Sequence, residues 1–342
     1  MLIQGIKPGS KVINIGGVDY SEVIDFATAP FPVNEEQVAI MVDYKNPAFI
    51  ADLVSPRIRT GKQEFKYRSY DKKDSLTIPD TKANRKGQLN QVEFGGTETT
   101  DSTLDYGLMA VVPQKDILNS DASYNPVNHH TQKIAELVAL SREQRVSAQI
   151  FGAANYGSSN KATLTGAAGL EYWDDFTNSN PVNAILAAKD VPVMKPNILV
   201  LGQKVWTKLR QHPVVVEGIY GSGAKNGIVR LQDFADFLEL EQVLVGQSFY
   251  NSANKGQTGS YSRLWGNYAA LLFREKDPVA TELTISQFFT AQFGDPVGTN
   301  YPVNPGSFGL RGGQAIVAGE SVKEVCTASD FGYLWSSVLK SY

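Results

Sequence analysis

Histidine and cysteine, the residue types that most often carry nucleophilic or metal chemistry, are scarce in this chain. It has only His129, His130, His212 and Cys326. Adjacent histidines on a helix point about 100° apart, whereas a helical metal pair is spaced by four residues. No Gly-x-Ser-x-Gly sequence places a serine nucleophile. We therefore predict no catalytic residue, no metal site and no cofactor, and a single cysteine excludes an intrachain disulfide.

A glycine-rich loop is the remaining candidate for ligand chemistry. A phosphate-binding loop needs a lysine directly after a glycine and then a serine or threonine, and Lys225 meets neither condition. The sequence favours a flexible loop with an Asn-Gly turn, and a hydrolase site here is a weaker alternative. The residues of this loop are Gly221, Gly223, Lys225, Asn226 and Gly227.

The composition is that of an ordinary globular protein. Of 342 residues, 42% are hydrophobic and 20% are charged, which predicts roughly two domains. No apolar run approaches the ~20 residues of a membrane span, and residues 1–10 lack the apolar stretch of a signal peptide. We expect a soluble protein of a reducing cytosol, with no membrane partner.

A strongly basic segment, residues 57–86, interrupts this mildly acidic chain. Its ten bases and four acids give it a charge of +6. The whole chain carries −3, so the residues outside this segment carry −9. The bases are Arg57, Arg59, Lys62, Lys66, Arg68, Lys72, Lys73, Lys82, Arg85 and Lys86.

Three interpretations of the basic segment are open. Phe65, Tyr67 and Tyr70 alternate with the bases, as in proteins that stack single-stranded nucleic acid. The segment is otherwise a solvated hairpin without a partner, or an arm whose positive face meets the acidic surface of a neighbouring copy. Because the rest of the chain would repel phosphate, the sequence favours the contact between copies.

The elements around this segment indicate an α+β fold. Alternation over 59–70 predicts one strand, a polar tip follows at 71–88, and a returning limb leads from 90 to a buried-looking apolar run at 108–112. Apolar residues at helical spacing predict a long helix from about 127 to 152. Alternating short strands and helices follow from 181.

The order of these parts resembles the major capsid protein of tailed bacteriophages, the Hong Kong 97-type fold. Short sequence segments along nearly the whole chain are similar to those of this family too. The matching segments are LVALSREQR at 137–145, NY at 155–156, PNILVLG at 196–202, VW at 205–206, VLVG at 243–246 and LWGN at 264–267.

The resemblance implies a domain organisation and a function. Residues 1–53 would be an N-terminal arm, and 54–113 an extended hairpin loop that overlaps the adjacent subunit. Residues 114–180 and 309–342 would form a peripheral domain with a spine helix at about 127–152, and 181–308 an axial domain. Copies would assemble into hexamers and pentamers of an icosahedral head around double-stranded DNA, and the glycine-rich loop would lie near the centre of each ring.

The resemblance also implies partners. Because Met1 leads almost directly into the arm, we expect a separate scaffolding protein, together with a portal, possible decoration proteins and non-specific contact with packaged DNA. The subunit would assemble in the host cytoplasm and reside in the virion. Some relatives crosslink lysine to asparagine, but no motif here assigns a partner asparagine or a catalytic glutamate. The alternative function is a cytosolic single-stranded nucleic-acid-binding protein that uses the basic segment.

Overall fold

The computed structural model describes residues 48–69, 78, 81–82, 97–120, 124–221, 223, 227–254, 256–275 and 286–340, with two short strands before them. The helices are α1 (Ala51–Val54), α2 (Gln114–Leu118), α3 (Pro126–Ile150), α4 (Pro181–Lys189), α5 (Gln203–Leu209), α6 (Pro213–Tyr220) and α7 (Leu231–Phe237). The strands are β1 (Ile13–Ile15), β2 (Val18–Tyr20), β3 (Arg57–Thr60), β4 (Glu64–Ser69), β5 (Thr97–Ser102), β6 (Leu104–Pro113), β7 (Lys161–Thr163), β8 (Ile198–Gly202), β9 (Gln242–Gly246), β10 (Phe249–Asn251), β11 (Tyr261–Arg263), β12 (Tyr268–Leu272), β13 (Phe288–Val303), β14 (Gly313–Cys326) and β15 (Tyr333–Ser336).

The main core surrounds a five-stranded sheet in the order β7-β15-β12-β8-β9. β8 is a continuous apolar run with every residue buried, which is typical of a strand covered on both faces. On one face, Leu199 and Leu201 pack in a cluster with residues of α4, α5, α6 and α7. On the other face, Ile198 and Val200 pack in a cluster with residues of α1 and α3. The predicted alternation of short strands and helices after residue 181 is confirmed.

The long helix α3 matches the prediction of a helix from about 127 to 152. Its 25 residues make a rod of about 37 Å. The apolar residues that predict this helix are only partly buried, because Ile134 and Val138 are buried whereas Leu137 is 52% exposed. The buried row continues at intervals of four and includes a charged residue: Ile134, Val138, Arg142, Val146 and Ile150.

The predicted hairpin is confirmed at its base, where β4 and β5 pair antiparallel from Glu64↔Ser102 to Ser69↔Thr97. The aromatic side of β4 faces protein, because Phe65 and Tyr67 pack on a cluster that contains Phe289. The prediction of one strand over 59–70 is wrong. β3 ends at Thr60 and pairs in parallel with β13, and a bend over 61–63 separates it from β4.

β3 and β6 are the outer strands of a four-stranded sheet in the order β3-β13-β14-β6. The apolar run at 108–112 on β6 looks buried in the sequence but is partly exposed, with Met109 at 59% and Val112 at 0%.

The chain divides into two compact units. One comprises 45–107, 135–295 and 319–342, and the other comprises 1–44, 108–134 and 296–318. The division inferred above, into arm, hairpin loop, peripheral domain and axial domain, stays a prediction. The contacts described below all lie within the larger unit.

Candidate intersubunit interface

Arg57, the first basic residue of the segment, pairs with acids of its own subunit. Its Nε donates to Oδ1 of Asp52 at 2.8 Å, and its Nη1 donates to Oε2 of Glu320 at 2.7 Å. Burial acts to lower the pKa of Arg57, but Glu320 and Asp52 outweigh it and raise that pKa. Arg57 therefore fixes the start of the hairpin to β14.

Arg142, a charged residue in the buried row of α3, reaches the same acid. Its side chain is 2% exposed and its Nη1 pairs with Asp52. Nη2 also donates to the carbonyl of Ser55 at 3.4 Å and to Oγ1 of Thr290 at 3.3 Å. Burial acts to raise the pKa of Asp52, but the Arg142 and Arg57 guanidinium groups outweigh it and hold that pKa below its usual value.

Glu143, the next residue of α3, accepts three hydrogen bonds. Its Oε1 accepts from the backbone N–H of Ile50 at 2.9 Å and from Nε1 of Trp265 at 2.6 Å. Its Oε2 accepts from the N–H of Ala51 at 2.8 Å. Burial nonetheless raises the pKa of Glu143. The Glu143 carboxylate therefore binds two parts of the chain to one turn of α3. One is the segment that leads into the hairpin, and the other is Trp265, which precedes β12.

Arg145 completes the group. Its Nε donates to Oε1 of Glu324 at 2.9 Å, and its guanidinium lies 3.6 Å from the ring centre of Tyr106. Nη2 is 3.5 Å from Oε1 of Glu320, which also pairs with Arg57. We call these seven ionic residues the anchor cluster: Asp52, Arg57, Arg142, Glu143, Arg145, Glu320 and Glu324.

The other described bases of the segment are exposed. Arg59 pairs with Asp295 at 2.7 Å, and both side chains are more than two-thirds exposed. Lys66 pairs with Glu98 of β5 at 3.1 Å, also at the surface. Such pairs contribute little to stability, so they do not prevent these bases from meeting another protein. Lys62 and Lys82 are exposed as well. The side chain of Arg68 and all of Lys72, Lys73, Arg85 and Lys86 lie outside the described residues.

The returning limb of the hairpin offsets much of the basic charge. Residues 87–113 contain four acids and no base, so 54–113 as a whole carry ten bases and eight acids, a charge of +2. The positive charge therefore belongs to the outgoing limb and the tip. The +6 value drawn from residues 57–86 alone describes only that side of the hairpin.

The glycine-rich loop follows α6. Gly221 and Gly223 have φ values of +92° and +117°, a backbone conformation that favours glycine. The N–H of Gly221 donates to the carbonyl of Glu217 at 2.9 Å and ends the helix. A Cβ on Gly227 would lie 3.2 Å from Val216. Lys225 and Asn226 lie outside the described residues, so a role for this loop at a ring centre stays a prediction.

A serine–histidine pair in the main core has the wrong polarity for hydrolysis. Nδ1 of His212 accepts the N–H of Val214 at 3.3 Å, which leaves Nε2 as the protonated nitrogen. Nε2 lies 3.0 Å from Oγ of Ser179, and that hydroxyl donates to the carbonyl of Asp175 at 2.7 Å. A base must accept the serine proton, and here the histidine donates. Burial also raises the pKa of Cys326 to about 11, so its thiol is protonated at neutral pH.

His212 predicts a specific loss of stability in mild acid. Burial lowers its pKa below the ordinary 6.5, so below pH ~6.5 the unfolded state takes up a proton that the folded state resists. The free energy of unfolding should therefore fall between pH 7 and 5.5, by at most about 1.4 kcal/mol per pH unit from this residue. In a His212→Asn variant, denaturant titration at the two pH values should show a smaller fall. Equal falls in both proteins would contradict the prediction.

Two features are absent from the part of the chain that the structure describes. None of its helices is long and apolar enough to cross a membrane. No three histidine, cysteine, aspartate or glutamate side chains come together there as metal ligands.

Comparison with known proteins identifies the family. No protein-family model matches the chain. The major capsid protein of Pseudomonas phage JBD67 is 40% identical over 314 residues, which cover 92% of this chain and 99% of the relative. The major capsid protein of Burkholderia phage BcepMu is 22% identical over 241 residues, which cover 68% of this chain and 74% of the relative.

Solved structures show the same fold. A phage-related protein from Bordetella bronchiseptica RB50 matches with a TM-score of 0.69 at 20% identity, over 90% of this chain and 97% of that one. The capsid of cyanophage P-SCSP1u matches with a TM-score of 0.56 at 11% identity, over 94% and 96%. The alternative of a single-stranded nucleic-acid-binding protein finds no support among these relatives. This chain is a structural capsid subunit with the Hong Kong 97-type fold, and it belongs to the major capsid proteins of bacteriophages.

Proposed function

We propose that copies of this subunit assemble into hexamers and pentamers of an icosahedral head that encloses double-stranded DNA, and that the subunit has no enzymatic activity. The observation that carries the proposal is the contrast between the two parts of the hairpin. The chain that enters the hairpin is fixed to α3 and β14 by the anchor cluster at Arg57, whereas Lys62 and Lys66, which follow Arg57, are exposed. A fixed base with an exposed basic limb suits contact with an acidic neighbour.

Charge within the subunit supports the same proposal. The chain outside the hairpin, residues 54–113, carries −5 within the total of −3, so another copy offers acidic surface to the basic limb. Each such contact is weak in salt because it is exposed. Repetition over many copies makes weak contacts effective, since each bound subunit raises the effective concentration of the next contact.

The proposal assigns roles to the remaining parts. Residues 181–308 would form the axial domain around each ring, with the glycine-rich loop near the ring centre. A separate scaffolding protein, a portal and decoration proteins would be further partners in the host cytoplasm. Packaged DNA would contact the inner surface without sequence preference.

Electron microscopy and salt dependence test the proposal. The full chain, expressed alone and with the scaffolding protein of its phage, should form rings or shells in negative stain. A chain that remains monomeric in both conditions would contradict it. Binding to a single-stranded oligonucleotide with a steep salt slope, in the absence of any assembly, would favour the alternative function.

A further inference from the structure

The hairpin formed by β10 and β11 presents a basic and aromatic surface. Phe249 pairs with Arg263, and Asn251 pairs with Tyr261, so these four side chains share one face of the hairpin. Phe249 is 52% exposed and Tyr261 is 76% exposed. The Arg263 guanidinium lies 4.3 Å from the centre of the Phe249 ring. We call Phe249, Tyr261 and Arg263 the aromatic hairpin.

The aromatic hairpin is held in place at both ends. Near its tip, Oδ1 of Asn251 accepts the N–H groups of Ala253 at 3.1 Å and Ser260 at 2.9 Å. At its base, Leu264 donates its N–H to the carbonyl of Ser248 at 3.0 Å and accepts from Oγ of Ser147 on α3 at 3.2 Å. The surface is therefore ordered before any partner binds, which lowers the entropic cost of docking.

A second surface, on α6 and α7, has complementary properties. Tyr220 is 49% exposed and Phe237 is 38% exposed. The Tyr220 hydroxyl donates to Oδ2 of Asp233 at 3.1 Å, and Asp236 lies beside Phe237. The two helices contain three acids and no base, whereas residues 247–263 contain two bases and no acid. We call Tyr220, Asp233, Asp236 and Phe237 the acidic helix face.

The two surfaces belong to different elements of one subunit. α7 precedes β9 and packs against it, whereas the aromatic hairpin follows the Gly246 end of that strand. Two different patches on one molecule make a head-to-tail contact, and head-to-tail contacts between identical copies close into rings when the rotation between neighbours divides a full turn.

We propose that the aromatic hairpin of one subunit docks on the acidic helix face of the next subunit in a ring. This inference rests on the proposed assembly and names the surfaces that meet in it. Arg263 would pair with Asp233 and Asp236 of the neighbour, and Phe249 and Tyr261 would cover Tyr220 and Phe237. Aromatic and arginine side chains are enriched at such contacts.

Charge reversal tests the pairing. Arg263→Glu places acid against acid, and the double variant Asp233→Lys/Asp236→Lys places base against base. Because like charges repel across the contact, we expect the assembled fraction of each variant alone to fall at least about tenfold in sedimentation velocity. Lys208→Glu, at an exposed position of α5, is the matched control and should assemble like the wild type.

Mixing the two variants makes the test sharper. Arg263→Glu keeps the native acidic helix face, and Asp233→Lys/Asp236→Lys keeps the native aromatic hairpin. In a ring where the two variants alternate, opposite charges therefore meet at every contact. Equimolar mixing should therefore recover rings with an even number of subunits, such as hexamers, but not pentamers. A single chain that carries all three substitutions should recover both.

The outcomes separate this inference from the proposed function. A wild-type chain that never assembles contradicts the proposed function itself. If the wild type assembles, normal assembly by either variant, or failure of the mixture although both variants melt like the wild type, overturns the pairing. Loss of oligonucleotide binding in Arg263→Glu with normal assembly would also overturn it and assign the aromatic hairpin to nucleic acid.

Discussion

Replacing Arg142 by alanine is expected to lower the free energy of unfolding of the subunit by about 1–3 kcal/mol. The guanidinium is buried and holds Asp52, the carbonyl of Ser55 and the hydroxyl of Thr290. Its removal takes a donor from the buried carbonyl of Ser55 and hydroxyl of Thr290, leaves Asp52 with Arg57 alone, and opens a void beside α3. Denaturant titration of the unassembled subunit measures the loss.

Arg59→Ala is the matched control for this substitution. Arg59 also pairs with an aspartate, but both side chains are largely exposed, so its loss should cost less than about 1 kcal/mol. Similar losses for the two variants would show that burial of Arg142 is not what makes its ion pair important.

Shortening the basic hairpin should abolish assembly without unfolding the subunit. Ser69 and Thr97 are antiparallel partners, so an Asn-Gly pair can replace residues 70–96 as a two-residue turn. β4 and β5 keep their pairing, and Phe65 and Tyr67 keep their contact with the cluster of Phe289. We expect a change of less than about 1 kcal/mol in the free energy of unfolding, and no shells in negative stain.

A second variant separates the effect of the hairpin's length from the effect of its positive charge. It keeps the length of the hairpin but replaces Lys72, Lys73, Lys82, Arg85 and Lys86 by glutamine. If the positive charge makes the contact, this variant also fails to assemble. Normal shells from the shortened variant would contradict the role of the hairpin, and loss of its cooperative melting would show that residues 70–96 belong to the subunit's own core.

Local patterns were sufficient to predict most elements of the fold. The period of two over Phe65 and Tyr67 predicts β4, and the apolar run at 197–201 predicts a short strand, because each pattern depends only on neighbouring residues. The bend between β3 and β4 escaped prediction, because it depends on the pairing of Ile58 with Ala291 far along the chain.

The anchor cluster could not be predicted from the sequence. Its ion pairs join residues 90 positions apart in the case of Asp52 and Arg142, and 263 apart in the case of Arg57 and Glu320. Single charged residues carry no sign of such partners. One signal was present on α3: the apolar spacing of Ile134, Val138, Val146 and Ile150 is interrupted by an arginine where the next buried residue falls.

The parallel pairing of β3 with β13 has a mechanical consequence. A pull on the basic hairpin acts on the Thr60 end of β3, whereas β13 is held by the main core at its opposite end, near Phe288. The ladder from Arg57 to Thr60 is therefore loaded in shear, so that its hydrogen bonds share the force instead of opening one after another. The ion pairs of Arg57, at the far end of that ladder, resist the same pulling force. The subunit is thus built to resist tension along the hairpin, and forced unfolding from the hairpin should require a higher force than peeling β3 from its Arg57 end.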